Sequence, residues 1–324
     1  MEENRMEKIL MIFVSLTISL LGVMDAAAIG GYTYQSTTNP IETIYVDDSN
    51  TEGPWWGTLE HPYQTIQDGA LNANDHDTVY VFSGTYFSSG GSGWPIKIER
   101  SILLQGEDPA TTEIVGGGSY SSKYVLVFYD TSGPAEITGF TIRKSGTDVE
   151  DAGILVNADN VSIINNIFIE NQLGVYCIYG LNHRHNNCRI EQNTFTTNNI
   201  GIWGTIDNAE IAYNTIINNT FRGIYLSGNN NIIHNNLIQG HSEEGITISD
   251  SQTTKVTFNN FYDNDKDASF RNAFFTKWHG NYWGKPRILP KPIMGAWNPD
   301  FYTNFPLFRF DRRPALTPNR ITPE

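Results

Sequence analysis

The chain of 324 residues is poor in cysteine, in methionine and in positive charge. Only Cys177 and Cys188 occur, and two cysteines cannot staple a chain of this length, so its core must hold without disulfides. A disulfide between them and a pair of buried thiols are both open readings, since both residues fall at positions that face the core in the pattern described below. Five methionines, most of them in the N-terminal segment, leave no Met-rich copper track. Lys and Arg number 21 against 35 Asp and Glu, a net charge of −14, which argues against nucleic acid as a partner. Only one long apolar run exists, the sixteen residues from Ile9 to Met24, behind Arg5 and Lys8 and ahead of Ala26-Ala27-Ala28. That is the layout of a secretory signal, with a leader over residues 1–28. The run is short for a bilayer span of roughly 20 residues, and an uncleaved anchor is the competing reading. No membrane contact is expected beyond this segment.

What the chain has in excess is asparagine: 33 in all, 23 of them between Asn157 and Asn264. A helical globule does not favour so much Asn, while 39% hydrophobic residues and 12% aromatics suffice for a packed core. A Gly-apolar pair recurs as Gly153-Ile154, Gly174-Val175, Gly201-Ile202, Gly223-Ile224 and Gly245-Ile246, at spacings of 21, 27, 22 and 22. A second track runs in phase through Ile163, Ile190, Ile211, Ile232 and Val256. Three residues after each comes an Asn: Asn166, Asn193, Asn214, Asn235 and Asn259. A unit of about 22 residues is too short for strand-helix-strand, which takes about 30. It has room for two or three short strands of period two, which stack into an all-β, single-stranded right-handed parallel β-helix. An antiparallel sandwich would not explain three tracks in phase. Strands at Val79, Ile102 and Val125 extend the phase backwards, giving about nine coils over residues 41–272. Pro62 to Ala73 has helical apolar spacing and suits a short helix over the N-terminal opening. Residues 273–313, rich in Trp, Tyr, Phe and Pro, read as an irregular aromatic flap, and residues 314–324 as a loose tail.

Residues 44–118 (IYVDDSN, PYQTIQDGAL, DTVYVFSGTY, ILLQGE) resemble the first coils of the pectin-lyase-like superfamily, and residues 136–270 its generic β-helix repeats. Asn281-Tyr282-Trp283-Gly284 with the following Lys285 to Pro290 is similar to uncharacterised secreted β-helix proteins of archaea. The Asn-rich repeats resemble the periplasmic copper-binding β-helix proteins of nitrous-oxide reductase maturation. The resemblance implies the fold and leaves the chemistry open, because this fold hosts lyases, hydrolases, esterases, epimerases and non-catalytic surface proteins. The polygalacturonase pattern has an Asn-x-Asp just before the Gly-Ile strand and two adjacent Asp one coil later; here Ala152, Leu173, Ile200, Arg222 and Glu244 stand before the glycines, the paired Asp are missing, and Asn157-Ala158-Asp159 follows the strand. No pectinesterase arrangement of two Asp and an Arg is found. A lyase pattern, with calcium as its cofactor, is not excluded by motif.

The third residue of each Gly-Ile strand points outward, so Tyr176, Trp203 and Tyr225 should form an exposed aromatic file of flat rings at rung spacing, suited to sugar faces. An ordinary structural ladder of aromatics is the alternative. Asp159 and Asp207 share an offset six residues past the glycine. The long insertion between them carries His183, Arg184 and His185, a set for an acidic sugar, calcium or, through the two histidines, a metal. Glu150, Asp151, Arg222, His241, Glu243 and Glu244 lie before the strands and read as a charged rim. The expectation is a secreted, monomeric β-helix protein that recognises or accompanies extracellular or cell-surface polysaccharide, without a clear catalytic set or a required cofactor. The alternatives are a lyase, hydrolase or epimerase acting on an acidic glycan, and a copper-protein maturation factor.

Overall fold

Period-two strands of three to six residues cannot bury an apolar face alone, and here they do so by stacking in parallel along three sheets. The computed structural model describes residues 41–88, 95–118, 123–129, 133–178, 187–298 and 303–323. The segment read as a leader and the residues His183, Arg184 and His185 lie outside the described residues. After the first strand, Thr43–Val46, each coil passes once through every sheet, as in Val161–Ile164, Ile167–Ile169 and Leu173–Cys177, followed by Arg189–Glu191, Thr194–Thr196 and Ile200–Thr205. The three sheets hold ten, nine and ten strands in that order. Every pairing between coils is parallel and in register, for example Ile163 with Ile190 and Ile190 with Ile211. The all-β parallel β-helix expected from the repeat is the fold observed.

The interior is a set of files. Ile154, Val175, Ile202, Ile224 and Ile246 are all buried, as are Ile163, Ile190 and Ile211. Phe168 stacks on Phe195 at 4.7 Å between ring centroids, and Phe261 on Trp283 at 4.5 Å. The glycines of the repeat are required by closeness: a Cβ on Gly174 would stand 2.5 Å from the carbonyl oxygen of Gly201, and one on Gly201 2.7 Å from that of Gly223.

From the coil of Asn166 onward, each corner between the first and second sheets bends through a single residue of positive φ, such as Gln192 (φ 57) or Tyr213 (φ 58), followed by Asn. Such a bend points backbone N–H and C=O groups into the interior, where an unpaired group is costly. The asparagines pair them. Asn214 Nδ2 donates to the Ile190 carbonyl at 2.8 Å and to Asn236 Oδ1 at 2.9 Å. Its own Oδ1 accepts from Asn193 N and Nδ2. The file runs Asn166, Asn193, Asn214, Asn236, Asn259, Asn281. The expected members Ile232 and Asn235 are displaced by one: Ile233 is in the core and Asn236 in the file. Asn235 is the positive-φ residue at the bend (φ 55). The doublets Ile232-Ile233 and Asn235-Asn236 fit either phase, and the period-two register decides between them.

A second file, between the second and third sheets, was not expected. Asn171, Asn198 and Asn219 repeat the same bonds, and His241 takes the next position. Its ring nitrogens approach the Asn219 and Ile216 carbonyls, and its backbone N–H donates to Asn264 Oδ1. His241, read as part of a charged rim, is therefore an interior residue, 2% exposed.

The N-terminal opening is covered by the helix Ile66–Asn72, capped by Thr65, whose side chain accepts from Asp68 N. At the other end the coil continues beyond residue 272 through Lys277–His279 and Tyr282–Trp283. The segment read as an irregular flap then forms a hairpin, Lys291–Trp297 with Phe305–Asp311, that extends the third sheet. The Asp311 carboxylate closes the first asparagine file, accepting from Asn281 N, Asn281 Nδ2 and Trp283 Nε1. Residues read as a loose tail bond along the corner, Ala315 N to the Asn281 carbonyl and Asn319 N to Asn260 Oδ1.

Asn214→Ala strands two interior donors of Asn193 and should lower stability by about 3 kcal/mol, against less than about 1 kcal/mol for Asn235→Gly, read as urea midpoints. Burial pushes the His241 imidazole down to about 4, opposed by the Asn219 and Ile216 carbonyls. The ring is neutral in the fold, whereas an unfolded His takes its proton near 6.5. Stability is therefore full above about pH 6.5 and falls with pH down to about 4, by up to about 3 kcal/mol. His241→Asn should remove this loss, giving similar urea midpoints at about pH 7 and about pH 4.5.

Candidate functional site

The outer face of the third sheet is built by residues that the pleat turns away from the core. One file runs Ala152, Leu173, Ile200 and Arg222. A second runs Leu155, Tyr176, Trp203, Tyr225, Thr247 and Ser269. A third includes Thr205, Ser227, Ser249 and Arg271. Tyr176, Trp203 and Tyr225 thus stand one per rung and half-buried. Their rings are tilted to one another and stand farther apart than the ~4.8 Å rung spacing. Both centroid separations are 5.8 Å, with planes at 47° for Tyr176–Trp203 and 71° for Trp203–Tyr225. Tilted and edge-to-face pairs are the favoured aromatic geometries, and Leu173, Ile200 and Phe221 fill the space beside Tyr176 and Trp203.

The loop before the Ala152 strand folds against this face. Glu150 stands near the Tyr176 hydroxyl, and burial, reinforced by the Glu150 charge, pushes that phenol up to about 12. Asp151, also read as rim, is buried and binds Asp148 N at 2.7 Å. Its carboxyl is raised by burial. Glu244 lies three rungs beyond Tyr176, about 14 Å at ~4.8 Å per rung, and is held by Arg222 Nε at 2.7 Å. A carboxylate-pair hydrolase needs its acids roughly 5–10 Å apart, so Glu150 and Glu244 do not make such a pair. The terminal hairpin joins the sheet three rungs beyond Tyr225, at Ser269 and Met294.

Asp159 and Asp207 sit at the corner between the third and first sheets, beside the positive-φ residues Asn160 and Asn208. Asn187 links those two coils, its side chain bonding Asn160 and its backbone N–H the Asp207 carbonyl. The two acids are thus two rungs, about 10 Å, apart. Asp207 Oδ1 accepts from Asn229 N at 2.6 Å, and Asp159 is exposed. The candidates His183, Arg184 and His185, between them in sequence, lie outside the described residues. Among the described residues no group of three or more His, Cys, Asp or Glu side chains is placed to hold a metal ion. Cys177 and Cys188 are free thiols, both buried. They are neighbours, and the Cys188 thiol and burial hold the Cys177 thiol well above its ordinary range. No helix among the described residues is long and apolar enough to cross a membrane.

The solved structures that the chain resembles share its coiled architecture. A GH136 lacto-N-biosidase from Eubacterium ramulus superposes with a TM-score of 0.50 at 10% identity, over 76% of this chain and 62% of that one. The mannuronan C-5 epimerase AlgE6 A-module of Azotobacter vinelandii gives 0.39 at 15% identity, over 66% and 79%. The pectin methylesterase PemA of Erwinia chrysanthemi gives 0.38 at 10%, over 90% and 93%. The chain spans 56–62% of the length of the lacto-N-biosidase. No curated protein matches it significantly. One family model, described as periplasmic copper-binding protein (NosD), matches residues 71–288. The Asn-rich coils, both interior amide files and all of the outer face described above fall within that match, and the chain belongs to the NosD periplasmic copper-binding protein family.

Proposed function

We propose that this is an extracytoplasmic, non-catalytic β-helix protein that binds extended glycan along the outer face of its third sheet. The observation that carries this reading is the file Tyr176, Trp203, Tyr225, one ring per rung, with the hydroxyls of Thr205 and Ser227 beside it. Aromatic rings take the apolar faces of sugars, and neighbouring hydroxyls take their OH groups. Arg271, 3.4 Å from the Tyr225 hydroxyl, and Arg184 of the insertion would meet acidic substituents. Asp159 and Asp207 border the same face at its corner. The periplasmic description of the family supports secretion to the cell surface as the setting.

A second reading, copper handling in that compartment, is favoured by the family match. Cys177 and Cys188 are adjacent soft donors of the kind that monovalent copper prefers. His183 and His185 would add imidazoles from the loop that these cysteines border.

Trp203→Ala should weaken binding to an extracellular polysaccharide array about tenfold under conditions where its urea curve shows it fully folded, with no new reducing ends or unsaturated product formed by either protein. Equal binding by the variant would remove the basis of the first reading. Monovalent copper titrated against a chromophoric chelator tests the second. Retention by the wild type and loss in Cys177→Ser/Cys188→Ser supports it, and no retention by the wild type ends it.

A further inference from the structure

The outward positions of the terminal hairpin depart from the ordinary pattern of antiparallel strands. Met294 lies opposite Phe308, Pro292 opposite Phe310 and Ala296 opposite Pro306, and none of the six is polar. Met294, Phe308 and Phe310 are 56%, 51% and 50% exposed, whereas a solvent-facing strand surface is normally polar. The inner face of the hairpin does the capping: Ile293 is buried, Arg309 Nε donates to the Phe274 carbonyl, and Asp311 holds Asn281. Phe275, Ile288 and Leu289 are exposed close by in the sequence.

Charge is concentrated at the same end. Residues 277–313 contain seven Lys and Arg and two Asp, a net of +5, so the rest of the chain carries −14 − 5 = −19. A groove of about 780 Å³ is lined by the edge strand Lys277–His279 and by Phe308, Arg309, Phe310, Arg312 and Arg313, with no carboxylate among its lining residues. Lys277, Arg312 and Arg313 enter no ion pair among the described residues. The buried hydroxyl of Thr276 and indole N–H of Trp278, also in its walls, have no hydrogen-bond partner among the described residues.

We propose that this end of the solenoid docks on a bilayer surface containing anionic phospholipid, with headgroup phosphates in the groove and Phe308, Phe310 and Met294 at the acyl boundary. Unpaired guanidinium and ammonium groups supply the complement to phosphate. Exposed aromatic and thioether side chains beside them supply the apolar contact of an interfacial anchor. Charge selects this occupant over a second copy of the chain, since a two-fold contact would set the same cations against one another.

Residues 41–324 form one compact unit holding every described strand, so this unit, free of the apolar Ile9–Met24 run, is the sample for vesicle sedimentation. It should partition onto vesicles with a third phosphatidylglycerol at least about tenfold more strongly than onto pure phosphatidylcholine, the preference fading with salt. Arg312→Gln/Arg313→Gln should lose that preference, and Phe308→Ser/Phe310→Ser should weaken partition about tenfold, with unchanged urea midpoints because all four side chains are exposed. If the Phe variant does not fold, the Arg pair combined with Lys277→Gln carries the test. Trp203→Ala should partition like the wild type, which separates this surface from the glycan face. Equal partition onto both vesicle types, no partition, or wild-type partition by the Arg variant overturns the proposal. So does release by inorganic phosphate at constant ionic strength, which reduces the groove to a simple anion pocket, or a dimer that Phe308→Ser/Phe310→Ser dissociates.

Discussion

A chain that turns a corner every few residues directs peptide groups into an interior without water, and each must find a partner there. The buried amides of asparagine answer that constraint. Asn193 illustrates it: one side chain donates to a carbonyl of the coil before and to the amide of the coil after, while its oxygen accepts from the preceding coil. Corners strained by positive φ persist because the bonds around them are complete. Parallel register, the apolar files and the close glycines all presuppose that the corners stay in line, coil upon coil.

This alignment also explains how the protein carries surface chemistry. Outward residues bear no load in the core, so the third sheet can place aromatic, hydroxyl and charged side chains at rung intervals without repacking anything inside. Arg222 bonded to Glu244 and the Glu150 charge set beside Tyr176 are adjustments of this outer layer. The insertion between Cys177 and Cys188 leaves and re-enters one coil at two buried thiols, and the coils on either side keep their pairing across it.

The repeat was legible because Gly, Ile and Asn are chemically unlike and recur in phase. Where neighbours are alike the sequence is ambiguous, and the doublets Ile232-Ile233 and Asn235-Asn236 differ only in which member the pleat turns inward. The second amide file was harder to read: His241 interrupts it, and Asn198-Asn199 and Asn218-Asn219 are again doublets. Ring tilt along Tyr176, Trp203 and Tyr225 depends on Leu173, Ile200 and Phe221, which period-two spacing does not describe. The aromatic content of residues 273–313 masked two more coil strands and a hairpin, because Trp278 and Trp283 occupy core positions held elsewhere by Ile, Val and Phe.

Asp311 gives the asparagine file a direction. From Asn166 to Asn259 each member's backbone N–H and one side-chain donation go forward to the next amide oxygen, while its own oxygen accepts from the coil before, so the last member, Asn281, needs a group that only accepts, and a carboxylate is such a group. A column of this kind has a head and a tail, like a polymer with distinct ends. Whole coils of some 22 residues can be copied or deleted between the ends without disturbing either terminus, and the length of the protein is open to variation by duplication while its closing residue is not.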